Sequence, residues 1–465
     1  MSEKSQAAAA APTLKSRMLS GGVWIFFGKG MTVLCTMLSQ ALLARILDQD
    51  EYGSYILAFS IVSVFSIAAQ MGLHQTAVRF VAESIGLGRL GRARESLGII
   101  YRWALVGGAG TILVLVAGPG AWVIKKAWHA PELAAVVGTL AIWAVLISFQ
   151  VITSESFRGF KDLRFAALFG GAVTGILNVT LLSLIFIGWG STDLATVFRV
   201  VVVAASISLM IGLLTLYRGK IVKLPVDRSA ITRSEIFTVA MPLWTIVMIN
   251  NMLAHSDRWI LAAFVSKEDL AVYGAAAQMV MLVSQPLILI NLLVPPFIAE
   301  LYAKGEHARL ERILRSTAAL AGIPALLVLG IFMLFGSPIL GIMFGAEYRA
   351  GASILAILSV SKVVNVLTGS AGITMAMTGH QNVMMRIALS VSSLSLIATF
   401  LVAKPYGPTG VALVVSAGST MVFLLQWWAT HRFTGMWTHP KIPTFREVKG
   451  LMKPGAATRQ PDDES

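Results

Sequence analysis

The sequence predicts an all-α polytopic membrane protein. About twelve transmembrane helices form two six-helix bundles related by a parallel internal repeat. Three observations predict this fold class. First, the 465 residues are 56% hydrophobic and 13% charged, with a mean hydropathy of +0.76. Soluble domains carry about 25% charged residues, and at half that density a chain of this length lacks the polar surface to solvate a globule. Second, the apolar residues collect in runs of the length that spans a bilayer core, about 20 residues. Third, short sequence matches recur in the same order in the two halves of the chain.

The composition excludes soluble enzymes, nucleic-acid-binding proteins and disordered chains. The net charge of +14 would point to nucleic acid in a soluble protein. Here it reflects basic residues gathered in cytoplasmic loops. The single cysteine, Cys35, excludes an intramolecular disulfide and a multi-cysteine metal site, and its apolar run assigns it to packing.

The spans lie near residues 19–45, 50–82, 94–118, 131–156, 164–189, 193–217, 236–264, 269–301, 315–336, 350–378, 386–403 and 408–432. They are apolar all round and longer than the roughly 10-residue alternating strands of a membrane barrel, so helices are expected. Alternate connections differ sharply in charge. The set containing both termini holds twenty-five Lys and Arg, the other set six, and six more lie within spans. This asymmetry places both termini in the cytoplasm, as an even number of crossings requires. The first span is too long for a signal-peptide apolar region, and the small residues Ala7–Ala11 precede it, so no cleaved leader is expected. The expected organisation is a cytoplasmic segment 1–18, a six-helix lobe 19–217, a basic linker 218–235, a second lobe 236–433 and a cytoplasmic tail 434–465. The stretch Lys441–Lys453 suits anionic headgroups or a solvated linker.

The repeat rests on several pairs. The run from Arg45 to Gly53 joins two helices, and Arg258–Leu261 precedes Ser266–Gly274, again between helices. Arg164-Phe-Ala-Ala-Leu corresponds to Arg386-Ile-Ala-Leu, and the run from Gly190 to that from Gly407. Six helices per repeat keep both repeats in one orientation, with a central cavity between them. Prolines at 242, 286, 295, 296 and 324 punctuate the second repeat and bend helices in a way that suits rocking movements, although such bends are common in membrane helices.

The residues Leu42–Tyr55, Gly72-Leu73 with Val78–Val81, and Asp257–Leu261 with Val272–Gly274 carry a family resemblance. The chain resembles Wzx-type oligosaccharide flippases of polysaccharide biosynthesis, in the multidrug/oligosaccharidyl-lipid/polysaccharide (MOP) exporter superfamily, over about residues 19–433. The resemblance implies a MATE-like fold and a bacterial inner-membrane transporter without enzymatic activity. It implies translocation of an undecaprenyl-pyrophosphate-linked oligosaccharide for O-antigen, capsule or exopolysaccharide synthesis. Membrane lipid and polysaccharide polymerase or export machinery are the implied partners, with no nucleic acid. Peptidoglycan-precursor flippases of the superfamily usually have two further C-terminal helices, and no apolar span follows residue 433 here.

Six basic residues fall within spans: Lys29, Arg79, Arg102, Arg199, Arg258 and Lys362. Each costs roughly 2.5–3.5 kcal/mol on insertion scales and is tolerated beside a cavity or partner. Lys29 and Lys362 are the deepest, and together the six are candidates for a cationic path for pyrophosphate. Arginine offers bidentate contacts, lysine a point charge. Arg79 and Arg102 have the alternative of snorkelling to the inner headgroups. Asp257 is the candidate coupling-ion site, for H+ or Na+. Asn250, Asn251, His255, Gln278 and Gln285 are candidates for a polar cleft, with interhelical hydrogen bonding as the competing role. No catalytic residue, cofactor or metal site is expected. Gly86–Gly91 matches a dinucleotide fingerprint but follows a membrane helix rather than a strand.

Two other functions compete. A cation-coupled multidrug antiporter would be expected to carry an acidic cavity, against the basic excess here. A membrane-embedded polymerase or glycosyltransferase usually needs a large outer domain, and the longest outer connections are about fifteen residues.

Overall fold

The structure is a computed structural model, and it describes residues 14–128, 130–225 and 231–441. Much of the expected N-terminal segment, the middle of the basic linker and most of the tail, including Lys441–Lys453 beyond its first residue, lie outside the described residues. Among the described residues there are helices and connections but no strands.

Among the described residues, eleven helices are long and apolar enough to cross a membrane. They are α1 (Leu14–Ile46), α2 (Gln49–Gln70), α3 (Leu90–Ala117), α4 (Val137–Gly159), α5 (Leu163–Gly188) and α6 (Leu194–Lys223), followed by α7 (Arg233–Phe264), α8 (Lys267–Asn291), α9 (His307–Met343), α10 (Ala346–Thr368) and α11 (Gln381–Thr434). At 1.5 Å per residue a continuous helix the length of α11 would measure about 81 Å, more than twice the roughly 30 Å bilayer core. Gly407 breaks it at φ 58°, ψ −153°, between Pro405 and Pro408. α11 therefore accounts for two crossings, which gives the expected twelve.

Local chemistry sets the helix boundaries. Asp48, Asp193 and Thr232 cap α2, α6 and α7 by accepting hydrogen bonds from the backbone amides of Glu51, Thr196 and Glu235. Met71 and Gly72 both take the left-handed conformation and separate α2 from the short helix Leu73–Gly86. A side chain at Gly72 would also meet the Ala240 carbonyl oxygen at 2.3 Å, so glycine is required twice over.

The chain divides into two compact units. Of the described residues, the first comprises those up to 279 with 336–354 and 396–411; the second comprises 280–335, 355–395 and those from 412 onward. In the first, α2 packs on α4 through a cluster of Tyr55, Phe59, Trp143 and Phe198, with ring centroids 5.9–6.5 Å apart. α1 lies close against α5. A Cβ on Gly28 would fall 2.6 Å from Ala167 Cβ, and one on Gly175 would fall 2.7 Å from Cys35 Cβ. This is the small-residue packing expected between helices in lipid. Cys35 is buried there, as its sequence context predicted.

The second unit has its own apolar cluster of Val294, Ile298, Leu301, Leu310, Leu314 and Met436. Ser370 Oγ donates to Asn291 Oδ1 at 2.7 Å, and Thr438 Oγ1 donates to the Thr368 carbonyl at 2.6 Å. Trp437 stacks on His431 with centroids 3.7 Å apart.

Candidate functional site

In the first unit the α1–α2 and α7–α8 hairpins lie against one another, at the helix ends that the charge asymmetry assigns to the outside. The Tyr-Gly pair that both hairpins contain is used in the same way twice. Tyr52 is fully buried and its hydroxyl donates back to Gln40 Oε1 on α1 at 3.1 Å. Tyr273 is fully buried and its hydroxyl donates back to Asp257 Oδ2 on α7 at 2.7 Å. Each tyrosine thus fixes its hairpin. Each glycine then admits the opposite hairpin. A Cβ on Gly53 would lie 2.0 Å from the Lys267 carbonyl oxygen, and a Cβ on Gly274 would lie 2.7 Å from two side-chain carbons of Ile56.

Polar contacts cross the same junction. Lys267 Nζ lies 2.7 Å from Glu132 Oε1 and 3.4 Å from Asp50 Oδ2, and Ser54 Oγ donates to Glu132 Oε1 at 2.9 Å. Gln49 Nε2 donates to the Glu268 carbonyl at 3.4 Å. Trp259 Nε1 donates to Ser60 Oγ at 2.9 Å, while Trp128 Nε1 donates to the Trp259 carbonyl at 3.0 Å. The connection before α10 adds Tyr348, whose ring meets Tyr52 edge-on at 5.6 Å. Arg45 donates to the Ile342 carbonyl.

The expected span 131–156 starts later in the structure, where α4 begins at Val137, so Glu132 lies outside the membrane-spanning helices. Burial pushes its carboxyl up, but hydrogen bonds from Lys267, its own backbone and Ser54 outweigh that and hold it below the ordinary value of 4.5. A carboxyl lowered in this way stabilises the bridged state above its ordinary value and loses that contribution only as pH falls through the lowered one. The bridge is therefore complete from about pH 6 upward. Lys267→Ala is expected to loosen the junction by about 1 kcal/mol, roughly fivefold in the open population, given the modest worth of partly exposed ion pairs. Ser63 is half-buried on α2, one turn beyond the junction residue Ser60; in a Cys35→Ala background, a Ser63→Cys reporter should react about fivefold faster with an impermeant maleimide. An unchanged rate would remove the bridge from the junction.

Behind this junction sits Arg258, only 8% exposed. Its Nη1 lies 2.7 Å from His255 Nδ1. Asp257 does not neutralise it through a side-chain ion pair; Asp257 Oδ1 accepts from the Arg258 backbone amide at 2.9 Å while Oδ2 takes the tyrosine. Of the predicted residues, the structure thus brings together Asp257, Arg258 and His255. Lys29, Arg79 and Arg199 are exposed, as is Arg102, whose Nε donates to the Gly98 carbonyl one turn earlier at 3.2 Å. Asn250 is exposed; Asn251 is half-buried, with Oδ1 buried and accepting no protein hydrogen bond. Gln278 on α8 is half-buried. Lys362 and Gln285 belong to the second unit and are half-buried, Gln285 donating to the Met281 carbonyl at 3.4 Å.

Sequence reasoning missed Lys267, Glu132, Trp128 and Trp259 as junction residues. The signal for Lys267 was its place directly before the repeated hairpin; Glu132 and Trp128 carried none, because their partners are more than a hundred residues away.

Comparison with curated proteins finds no match. Solved structures match well. An inward-facing MATE-family multidrug resistance transporter of the MOP superfamily has a TM-score of 0.73 at 14% identity, over 86% of this chain and 94% of that one. The lipid II flippase MurJ in an inward closed conformation has a TM-score of 0.68 at 12% identity, over 88% and 87%. A MOP superfamily transporter from Pyrococcus furiosus, described as having a binding pocket of reverse polarity, has a TM-score of 0.66 at 15% identity, over 90% and 95%. At these identities the likeness establishes the fold alone, the MATE-like helical fold that the resemblance implied. The sequence model of polysaccharide biosynthesis proteins matches residues 42–353, more than half of the chain. With its MATE-like helical fold and a buried arginine behind the paired hairpins, the chain belongs to the polysaccharide biosynthesis protein family.

Proposed function

We propose that the chain is a flippase for an undecaprenyl-pyrophosphate-linked oligosaccharide, working in the bacterial inner membrane during O-antigen, capsule or exopolysaccharide synthesis. The observation that carries this reading is Arg258, a cation held within a membrane span with no opposing carboxylate on its guanidinium among the described residues. The family, the MurJ likeness and the basic excess within spans support it.

The pyrophosphate head carries about two negative charges, and hydrocarbon is prohibitive for them without compensation. On this reading Lys29, Arg79, Arg102, Arg199, Arg258 and Lys362 supply that compensation at successive depths along their spans. The hairpin junction corresponds to a state that loads from the cytoplasm; its opening would release the head outside. Rocking of the lobes is coupled to H+ or Na+. The MATE likeness favours a second reading, a cation-coupled multidrug antiporter.

Gene deletion followed by analysis of undecaprenyl-linked glycans separates the two. Accumulation of the glycan at the cytoplasmic face is expected; normal export with altered drug tolerance would establish the antiporter. Lys29→Ala and Lys362→Ala should each lower surface polysaccharide per inserted protein. Arg substitutions should retain more activity than Ala, and Glu should be worst. Equal activity of all three variants at both sites would remove these lysines from the path.

A further inference from the structure

The two halves treat equivalent helix pairs differently. In the first half, the first and fifth crossings, α1 and α5, close on each other through Gly28, Gly171 and Gly175 with no room for a Cβ. In the second half, the seventh crossing α7 and the eleventh, the first part of α11, stand apart over residues 396–400 and leave a groove of about 500 Å³. Ile249, Met252, Leu253, Ile260, Leu396 and Phe400 line it, and its lining is apolar almost throughout. The α7 residues recur at three- and four-residue spacing, a stripe along one face. From Ile249 to Phe264 the stripe runs about 22 Å at 1.5 Å per residue, a large part of the bilayer core. Phe264 and Phe400 meet edge-on at 5.2 Å and close one end.

Arg258 lies on the opposite face of the same stretch of α7. One helix thus separates a buried cation from a long apolar furrow. Trp259 belongs to both sides: it lines the groove and its indole donates to Ser60 on α2. An amphiphile with an anionic head and a single long hydrocarbon chain matches this arrangement, head toward Arg258 and chain in the furrow. The flexible thioether of Met252 and the aromatic walls suit a branched, irregular chain.

We infer that the α7–α11 groove binds a segment of the polyprenyl chain of the lipid-linked substrate, while its pyrophosphate head occupies the Arg258 side of α7 once the hairpin junction opens. The inference rests on the flippase reading and adds where the lipid rides during transport. The alternative occupant, a bulk phospholipid acyl chain, is an outcome of the test.

The full chain in nanodiscs is titrated with undecaprenyl pyrophosphate and bound lipid is read by native mass spectrometry, for the wild type, Ala263→Phe and Ser256→Phe. Both substitutions fill the groove. The expected result is binding to the wild type and an affinity about tenfold weaker in both variants, at unchanged melting temperature. Full affinity in well-folded variants would overturn the groove but leave the flippase reading standing; no binding to the wild type would overturn both. Should the variants fail to fold, a photo-cross-linking residue at Met252 in the otherwise unaltered chain decides. Cross-links to undecaprenyl pyrophosphate are expected, and cross-links to phospholipid alone would overturn the inference.

Discussion

Gly53→Val is expected to abolish the hairpin junction and to reduce polysaccharide export at least tenfold without preventing membrane insertion. The new Cβ would lie 2.0 Å from the Lys267 carbonyl oxygen and 2.7 Å from the carbonyl carbon. Both atoms are backbone, so no rotamer change relieves the clash; α2 and α8 must separate. Overpacking of this kind costs about 1–3 kcal/mol, and a backbone obstacle puts it at the upper end. Separation would also draw Lys267 from Glu132 and Asp50 and Trp259 from Ser60, so several contacts fail together. The Ser63→Cys reporter should then react with impermeant maleimide at a rate close to that of an open state. Gly53→Ala should already produce much of the effect. Gly30→Ala, where an added Cβ meets nothing within 4 Å, is the control and should behave as wild type. Normal export by Gly53→Val would show that this close approach is not needed in the cycle.

The crossings were legible because hydropathy and basic-residue asymmetry are properties of single segments. The turn at Gly407, flanked by Pro405 and Pro408, was equally legible, since those residues cannot continue a helix without a break. The repeated Tyr-Gly pair marked both hairpins, and the structure gives both tyrosines the same backward hydrogen bond. What those hairpins touch was not legible. Glu132 meets Lys267 across 135 positions of the chain, and Trp128 meets the Trp259 carbonyl; no periodicity encodes such partners. Charge alone does not order the six intramembrane cations by burial. Lys29 and Arg258 look alike in sequence, as single basic residues in apolar helices, yet Lys29 is exposed and Arg258 is buried against His255. Depth along a helix is readable from the sequence, whereas the face it presents depends on neighbours supplied by the fold.

Arg258→Met should separate transport from stability. A buried ion that serves only the fold can be exchanged for an apolar side chain of similar volume with neutral or favourable effect. Removing a cation from a span also saves roughly 2.5–3.5 kcal/mol of insertion cost. Arg258→Met should therefore insert and melt at least as well as wild type. If the arginine meets the pyrophosphate, export should nevertheless fall by a hundredfold or so, the worth of about 3 kcal/mol for a lost charged hydrogen bond. Arg258→Lys keeps the charge but loses the planar fork, and should retain intermediate activity. His255→Ala removes the ring nitrogen that faces Nη1 at 2.7 Å. A neutral imidazole accepts from the guanidinium through Nδ1, whereas an imidazolium cannot. If proton binding at His255 frees Arg258 for the substrate, His255→Ala should export at a rate that no longer varies with pH, while Arg258→Met stays inactive at every pH. Asp257→Asn leaves an oxygen for the Tyr273 hydroxyl and should change the pH profile less than His255→Ala. Export by Arg258→Met at the wild-type rate, measured as surface polysaccharide per inserted protein, would reduce the arginine to a packing element of α7. A pH profile unchanged in His255→Ala would exclude His255 and return the coupling role to Asp257, the candidate the sequence offers, while leaving Arg258 as the phosphate contact.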